Sequence, residues 1–269
     1  MRDEIDKSSE KTKKLSSFAI LKQFHGNPFS VIVYDTIDST NTEARRLLQQ
    51  GKEPPFLLLA NEQSSGRGRH SNSFFSPESG LYYTFVTEVT EKAKERATIA
   101  AAVSLQEAVQ ETCGICTDIK WVNDLYYKDR KVAGILCEAP HRKEAEAPVI
   151  IIGIGVNIAQ KEFPEELKEK AGSLGCETLD RNLLAAVLTE HLLAWLSRPN
   201  DPRLLEAYKA HSFLLGRQVS FRKNGVLHTG NARDISPEGN LIVEGEETHV
   251  LSSGEVSLVS WENKDAESR

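Results

Sequence analysis

The stretch Pro148-Val-Ile-Ile-Ile-Gly-Ile-Gly-Val-Asn157 carries no charge and includes four consecutive aliphatic residues. An apolar, β-branched run of this length reads as a strand buried on both faces, unlike a half-exposed strand, which alternates. It is far too short to span a bilayer. A chain built around such a strand needs cover on both sides of its sheet.

Length and composition allow for that. The 269 residues can bury one sizeable core and a small second domain. A hydrophobic content of 39% with 27% charged residues fits a globular protein rather than a disordered or fibrous one. The net charge of −6 argues against a dedicated nucleic-acid binder, although a local basic pocket for a phosphorylated ligand stays compatible with it. Lys13 and Lys14 are followed by no signal-peptide core, so a cytoplasmic, membrane-free protein is expected. Cys113, Cys116, Cys137 and Cys176 read as reduced thiols. Cys113-Gly-Ile-Cys116 has a C-x-x-C spacing, but no second pair accompanies it, and two ordinary thiols at a helix end is the preferred reading over zinc or redox chemistry.

Along the chain, residues 1–28 read as a Lys/Glu/Ser-rich tail with a short apolar patch, Phe18–Leu21, that can dock locally. Strands are expected at Phe29–Tyr34, Phe56–Ala60, Leu81–Glu88, Thr117–Trp121, Lys131–Glu138 and Pro148–Asn157. Asp38-Ser-Thr-Asn41 opens a helix that stops at Gly51, with Thr40 and Glu43 spaced as a capping box. Ala97, Ala101, Leu105 and Ala108 mark a helix over Ala93–Thr112, and Arg181–Leu196 and Pro202–Phe213 are helical by pattern. After Gly216 short β-type runs alternate with Asn-Gly, Pro-Glu-Gly and Ser-Ser-Gly turns, which suits a five-strand barrel of about 45 residues packed on a larger partner.

Three segments offer chemistry. Gln63-Ser-Ser-Gly-Arg-Gly-Arg69 combines glycines, which let backbone N–H groups turn toward an anion, with two arginines; on spacing alone, anion binding and a flexible basic surface loop stay equally open. It is no Walker A loop, because no Gly-Lys-Ser/Thr follows. Lys120-Trp-Val-Asn-Asp-Leu125 is followed by Lys131-Val-Ala-Gly134, and a lysine at the mouth of an apolar strand needs an anionic partner from protein or ligand. The plain alternative, a surface hairpin with its tip at Tyr126–Arg130, accounts for Lys128 and Arg130 better than for Lys131. Gly153-Ile-Gly155-Val-Asn157 lacks the third Rossmann glycine, since Ile158 stands there, and suits close backbone approach to a ligand. No G-x-S-x-G or H-E-x-x-H motif occurs, and the seven histidines show no metal-ligand spacing. Such a chain suits a reaction in which the substrates react with one another while the protein positions them and neutralises charge.

Asp38-Ser-Thr-Asn41, Gln63-x-x-Gly-Arg-Gly-Arg69, Phe75-Ser-Pro77 with Gly80-Leu-Tyr, Lys120-Trp-x-Asn-Asp124, Lys131-x-Ala-Gly134 and Gly153-x-Gly-x-Asn157 together resemble the biotin–protein ligase family in order and spacing over roughly residues 30–160. The resemblance implies an α+β fold: a mixed, antiparallel-rich sheet with helices, like the catalytic domain of class II synthetases and biotin/lipoate ligases, at residues 29–215. It implies a small SH3-like barrel at 216–261 and a tail at 262–269. It also implies ATP with Mg2+ and biotin as substrates, a biotin carboxyl carrier protein or domain as acceptor, no DNA partner, and a homodimer as a possible state.

Carried over by position, Ser39, Thr40, Asn41 and Gln63, with Gly66, Gly68 and Gly134, would receive biotin. Arg67 and Arg69 would hold its carboxylate and the phosphates, and Lys131 would bridge carboxylate and α-phosphate. Lys120, Asn123 and Asp124 would line the reacting centre, with Gly153, Gly155 and Asn157 on the nucleotide side and Trp121 as a packing residue. Lys131, Arg67, Arg69, Lys120 and Asp124 are the expected catalytic set, with no protein-bound metal.

Two positions depart from the family's pattern: His70-Ser71-Asn72-Ser73 replaces a glycine and basic residues, and Val122 replaces a proline. Lipoate or octanoate ligation is the nearest rival. A linear acyl tail would want an apolar tunnel, so Gln63 and Ser39-Thr40 favour biotin. A DNA-binding repressor would need about 60 residues ahead of the catalytic part, more than this sequence offers. An inactive binding module would leave Lys131 and the paired arginines without a reason.

Overall fold

The computed structural model describes residues 14–26, 29–69, 72–140, 147–252 and 256–258. Two sheets organise them. The larger has seven strands: β1 (Ser30–Ile37), β2 (Phe56–Gln63), β3 (Gly80–Glu88), β4 (Asp118–Lys120), β5 (Asp124–Tyr127), β6 (Arg130–Glu138) and β7 (Val149–Asn157). They lie in the order β1-β2-β3-β7-β6-β5-β4. Only β1 and β2 run parallel, so the sheet is mixed and antiparallel-rich, as expected.

Strand β7 is flanked by β3 and β6 and is buried along nearly its whole length. Its alternate residues serve different neighbours, because strand side chains point to opposite faces in turn. Ile150, Ile152, Ile154 and Val156 join the main core. That core lies under α3 (Glu91–Cys113) and α4 (Arg181–Leu196). Val149 and Ile151 face the other way and pack with Phe56, Leu58, Val86 and Ala44 beneath α2 (Thr40–Gln49). The four-aliphatic run is therefore covered twice, by different helices.

Helix α3 is bounded by chemistry visible in the sequence. The Thr90 hydroxyl accepts from the Ala93 N–H at 3.2 Å, and Gly114 ends the helix in the left-handed region at φ +67. The capping-box reading of Thr40 is corrected. Ser39 is the N-cap of α2, accepting from the Thr42 N–H at 3.4 Å, and Glu43 turns instead to Arg46 and to the Tyr34 hydroxyl. The apolar patch near the start is a helix, α1 (Ser17–Gln23), docked through buried Ile20 against α4 and β1, while Phe18 is 76% exposed. The hairpin tip expected at Tyr126–Arg130 narrows to Lys128 and Asp129, both at positive φ, because Tyr126 and Tyr127 belong to β5 and Arg130 to β6.

Helix α5 (Pro202–Ala210) leads into a five-stranded antiparallel sheet, β8 (Gln218–Lys223) to β12 (Val256–Leu258), in the order β11-β10-β9-β8-β12, with β9 at Val226–Ile235, β10 at Leu241–Glu244 and β11 at Thr248–Leu251. This sheet shares a core with the larger part, since Val219, Phe221, Ala232, Ile235, Leu241 and Val243 belong to the same buried cluster as the residues of α3, and polar contacts add to it. The buried Trp121 indole donates to the Gly239 carbonyl at 2.9 Å, and Trp121 also lines the cavity described below. Arg96 donates to the carbonyls of Pro199 and Pro237, and Lys209 pairs with Asp234 at 2.6 Å.

All four cysteines are free thiols. His211 comes within 3.8 Å of Cys116, a neighbour that the spacing alone did not show. Among the described residues no group of three His, Cys, Asp or Glu side chains could hold a metal, and no helix is long and apolar enough to cross a membrane.

The helical layer contains a titratable clamp. His191 of α4 faces Glu107 at 3.2 Å and Glu111 at 2.9 Å, both on α3, and Trp195 donates to Glu107 at 2.8 Å. The Glu107 hydrogen bond raises the His191 pKa against burial, with Glu111 adding to it. Burial works to raise Glu107, but hydrogen bonds from His191 and Trp195 outweigh it and hold that carboxyl below its usual value. A raised histidine pKa gives stability that is full below the ordinary 6.5 and is lost as pH rises through the folded value. A lowered glutamate gives stability present above the ordinary 4.5 and lost as pH falls through its depressed value. The clamp is thus strongest between those two ordinary values. His191→Gln should cost about 1 kcal/mol at pH 5.5 and much less at pH 9, read as the difference in thermal midpoint from the unmutated chain at each pH.

Candidate active site

Past Ile151 the same face of β7 continues with little side chain of its own. Its outward positions there are Gly153, Gly155 and Asn157, so side chains from elsewhere can lie directly on the backbone. A Cβ at Gly153 would collide with the Asn41 amide, and one at Gly155 with the Phe74 ring. Gly134 of β6 lies opposite Gly155, and its open side meets the Lys131 ammonium and the Phe74 edge, each 3.3 Å from where a Cβ would stand. Above this floor is a cavity of about 760 Å³, a size suited to a small organic ligand.

Lys131 reaches the cavity because of an irregularity in the β5–β6 pairing. Leu125 pairs with Ala133 but Tyr126 with Lys131, leaving Val132 as an extra residue. Val132 and Ala133 both join the main core. The bulge shifts the alternation, so Lys131 comes out on the same face as Gly134.

One end of the cavity is neutral and polar. Gln63 Oε1 accepts from the Thr40 N–H at 2.9 Å and the Thr40 hydroxyl at 3.0 Å, while its Nε2 donates to Ser76 Oγ at 3.0 Å. Thr84, directly across from Gly153, places its buried hydroxyl 2.8 Å from Thr40 Oγ1 and 2.7 Å from Asn41 Oδ1. Asn41 Nδ2 donates to the Leu136 carbonyl at 3.3 Å and to Glu138 at 3.0 Å. These donors and acceptors hold one another in fixed directions, as a preorganised polar pocket requires.

The other end is charged. Lys131 Nζ lies 2.7 Å from Asp124, Arg69 donates to Asn123 at 3.1 Å, and Arg67 lies 3.8 Å from Glu138. Asn123 is itself fixed to Ile135 through its side chain and its carbonyl, both at 2.9 Å. Lys120 donates to the Tyr126 hydroxyl at 3.4 Å and lies over that ring. Burial, and secondarily the Asp124 carboxylate, push the Tyr126 phenol up to about 12, so it stays protonated beside the lysine.

The structure brings together Ser39, Thr40, Asn41, Gln63, Arg67, Gly68, Arg69, Lys120, Asn123, Asp124, Lys131, Gly134, Gly153 and Gly155 around one cavity. Gly66 and Asn157 are not in its lining. Gly66 faces the Phe74 carbonyl and Ser76 too closely for any side chain, and Asn157 donates to the Gly172 carbonyl at 2.9 Å, tying down the segment after β7. The Gly68 N–H, expected to face an anion, donates to the Asn72 carbonyl at 2.7 Å and closes the loop on itself.

Phe74, Thr84 and Glu138 were missed. Thr84 is a fully buried threonine in a strand buried at all but its last residue, and Glu138 closes the apolar run Ala133–Cys137, so each is a polar group that needs a partner once the strand is buried. Of the departing residues, His70 and Ser71 lie outside the described residues. Val122 follows a cis peptide from Trp121 and accepts from the Tyr208 hydroxyl at 3.0 Å.

A family model described as Biotin/lipoate A/B protein ligase family matches residues 33–157, and one described as Biotin protein ligase C terminal domain matches 214–259. The bifunctional ligase/repressor BirA of Bacillus subtilis is 32% identical over 235 residues, covering 81% of this chain and 70% of that protein. The biotin–[acetyl-CoA-carboxylase] ligase of Mycobacterium tuberculosis is 31% identical, with 74% and 77% covered. The chain belongs to the biotin protein ligase family. Among solved structures, the biotin protein ligase of Aquifex aeolicus in complex with biotin and ATP superposes with a TM-score of 0.70 at 28% identity, covering 85% of this chain and 98% of that one. The cavity described above lies within the first matched segment for most of its lining, and Phe213 and Val256 add wall from farther along the chain.

If the ligase floor is built as described, a methyl group at position 153 must displace Asn41 and disturb its contacts to Thr84, Leu136 and Glu138. Gly153→Ala should cost about 1–3 kcal/mol by overpacking, seen as a lower thermal midpoint. The cost should shrink in an Asn41→Ala background, where the obstructing amide is gone.

Proposed function

We propose that this chain activates biotin with Mg-ATP to biotinyl-5′-AMP and transfers the biotinyl group to a lysine of a biotin carboxyl carrier domain. The observation that carries this reading is one cavity with two unlike ends: the Ser39–Thr40–Gln63 cluster, and beside it Arg67, Arg69 and Lys131. The ureido ring of biotin offers a carbonyl acceptor and N–H donors, which suits hydroxyls and a carboxamide. Its carboxylate and the nucleotide phosphates suit fixed cations. The Aquifex relative, at 28% identity, was solved with both biotin and ATP.

In the first half-reaction a carboxylate oxygen attacks the α-phosphorus. The bond from that phosphorus to the β-phosphate bridging oxygen breaks, and pyrophosphate leaves with the electron pair. Two anions must come within bonding distance, so the barrier is largely electrostatic. Lys131 stands over the glycine floor with Asp124 fixing its position, and it would lie between carboxylate and α-phosphate. Arg67 and Arg69 would hold the remaining negative oxygens. Magnesium enters with ATP as part of the substrate and would neutralise phosphate charge. In the second half-reaction the acceptor's neutral ε-amine attacks the anhydride carbonyl, the C–O bond to AMP breaks, and the ammonium proton is lost to water.

Lipoate ligation shares the logic, and the matched family's description names both acids. The Gln63–Thr40–Ser76 hydrogen bonds favour a polar bicyclic head over a linear tail. Biotin should therefore drive Mg-dependent exchange of labelled pyrophosphate into ATP, and lipoate and octanoate should not. Exchange driven by either of those acids in place of biotin overturns the assignment.

A preorganised cation used chiefly in the transition state affects rate more than binding. Lys131→Ala should slow pyrophosphate exchange by roughly a hundred- to a thousand-fold while the protein stays folded by thermal melting. It should still transfer biotin from chemically supplied biotinyl-AMP better than it makes the adenylate. Lys128→Ala, at the hairpin tip over Tyr127, should change little.

A further inference from the structure

We infer that Glu138 is the resting counterion of Arg67, and that it sets how tightly the site accepts an anionic ligand. The inference rests on the ligase reading and concerns the regulation of that same cavity.

Each cation expected to meet substrate already has a partner of its own. For Lys131 it is Asp124 at 2.7 Å and for Arg69 it is Asn123 at 3.1 Å. For Arg67 it is Glu138, at 3.8 Å the longest of the three. Glu138 is the last residue of β6, on the same face as Gly134 and Leu136, and its side chain is only 14% exposed. Two residues of α2 fix it: Asn41 donates to Oε2 at 3.0 Å, and Arg45 pairs with Oε1. Arg67 is 42% exposed and sits on the loop, facing the same Oε1. The carboxylate is anchored and the guanidinium is the looser member.

A ligand carboxylate that reaches Arg67 therefore meets a carboxylate already there. One guanidinium can serve both only if two like charges stay close, which disfavours the bound state. Glu138 thus keeps the loop arginine oriented toward the cavity while the site is empty, and weakens anion binding in proportion to what Arg67 loses on leaving it. A purely structural Glu138, tying β6 to α2 through Asn41 and Arg45, would act alike on charged and uncharged ligands.

The test is Glu138→Gln, which keeps the shape and a hydrogen-bonding partner for Asn41 while removing the charge. Affinities of biotin and of its uncharged carboxamide are measured by titration calorimetry on the full chain, unmutated and mutated, with thermal melting alongside. Biotin should bind the mutant about three- to fivefold more tightly, the scale of a partly exposed ion pair, while the carboxamide changes by less than twofold. In an Arg67→Ala background the gain should vanish, which separates the local pair from the general effect of removing one negative charge. An equal change for both ligands, no change for biotin, weaker biotin binding, or a gain that persists without Arg67 overturns the inference. If the unmutated chain binds no biotin at all, the ligase reading falls first and takes this one with it.

Discussion

The alternation of side chains along β7 is the constraint on which the rest depends. A strand buried on both faces must satisfy two neighbours with every second residue. The even positions, Ile150 to Val156, commit one face to the helical layer of α3 and α4. The odd positions change character half-way: Val149 and Ile151 anchor α2, and Gly153 and Gly155 leave bare backbone just past it. One strand thereby holds the core, seats the helix whose first turn supplies Ser39, Thr40 and Asn41, and forms the cavity floor. A shift of one residue in its pairing would exchange all of these roles at once.

Electrostatics follows from that geometry. Helix α2 and the arginine loop converge over a floor without side chains, so their polar groups meet one another as closely as they would meet a ligand. The neutral end is closed by Thr84 and Gln63, whose hydrogen bonds are short and mutual. At the charged end Lys131 pairs with Asp124 and Arg67 faces Glu138. The neutral end is thus closed by mutual hydrogen bonds, while Lys131, Arg69 and Arg67 at the charged end each rest on a single acidic or amide partner.

Much of this was legible in the sequence, and for identifiable reasons. The buried strand, the long helix with Thr90 and Gly114 at its ends, and the turn-rich β segment after Gly216 are local signals, each fixed by periodicity or by a residue with special backbone needs. The site residues were legible as a set only through the joint resemblance of several short motifs to the biotin–protein ligases; on spacing alone the arginine loop stayed open between anion binding and a basic surface loop. What stayed hidden was pairing. Nothing local distinguishes Ser39 from Thr40 as the cap, since both can serve; the choice falls to Gln63, twenty-three residues beyond Thr40, which claims the Thr40 hydroxyl. Helix α1 was obscured by a charged surrounding composition, although Ile20, with Leu15 and Phe24 at its ends, docks it on the core. Glu138, Phe74 and Thr84 acquire meaning only from strands and loops that come near them in space.

The extra residue at Val132 has a consequence for how such a hairpin can vary. Between β5 and β6 the chain turns at Lys128 and Asp129, and length added there leaves the register below it untouched. Straightening the bulge without shortening the chain is different in kind. If Val132 took a regular place in the ladder, strict alternation would send the side chain of residue 131 into the apolar layer beneath α3, away from the Asp124 carboxylate and from water. The two ends of one hairpin, a few residues apart, therefore tolerate different changes: the tip can drift in length, and the base must keep Val132 out of the ladder for the lysine to face the cavity.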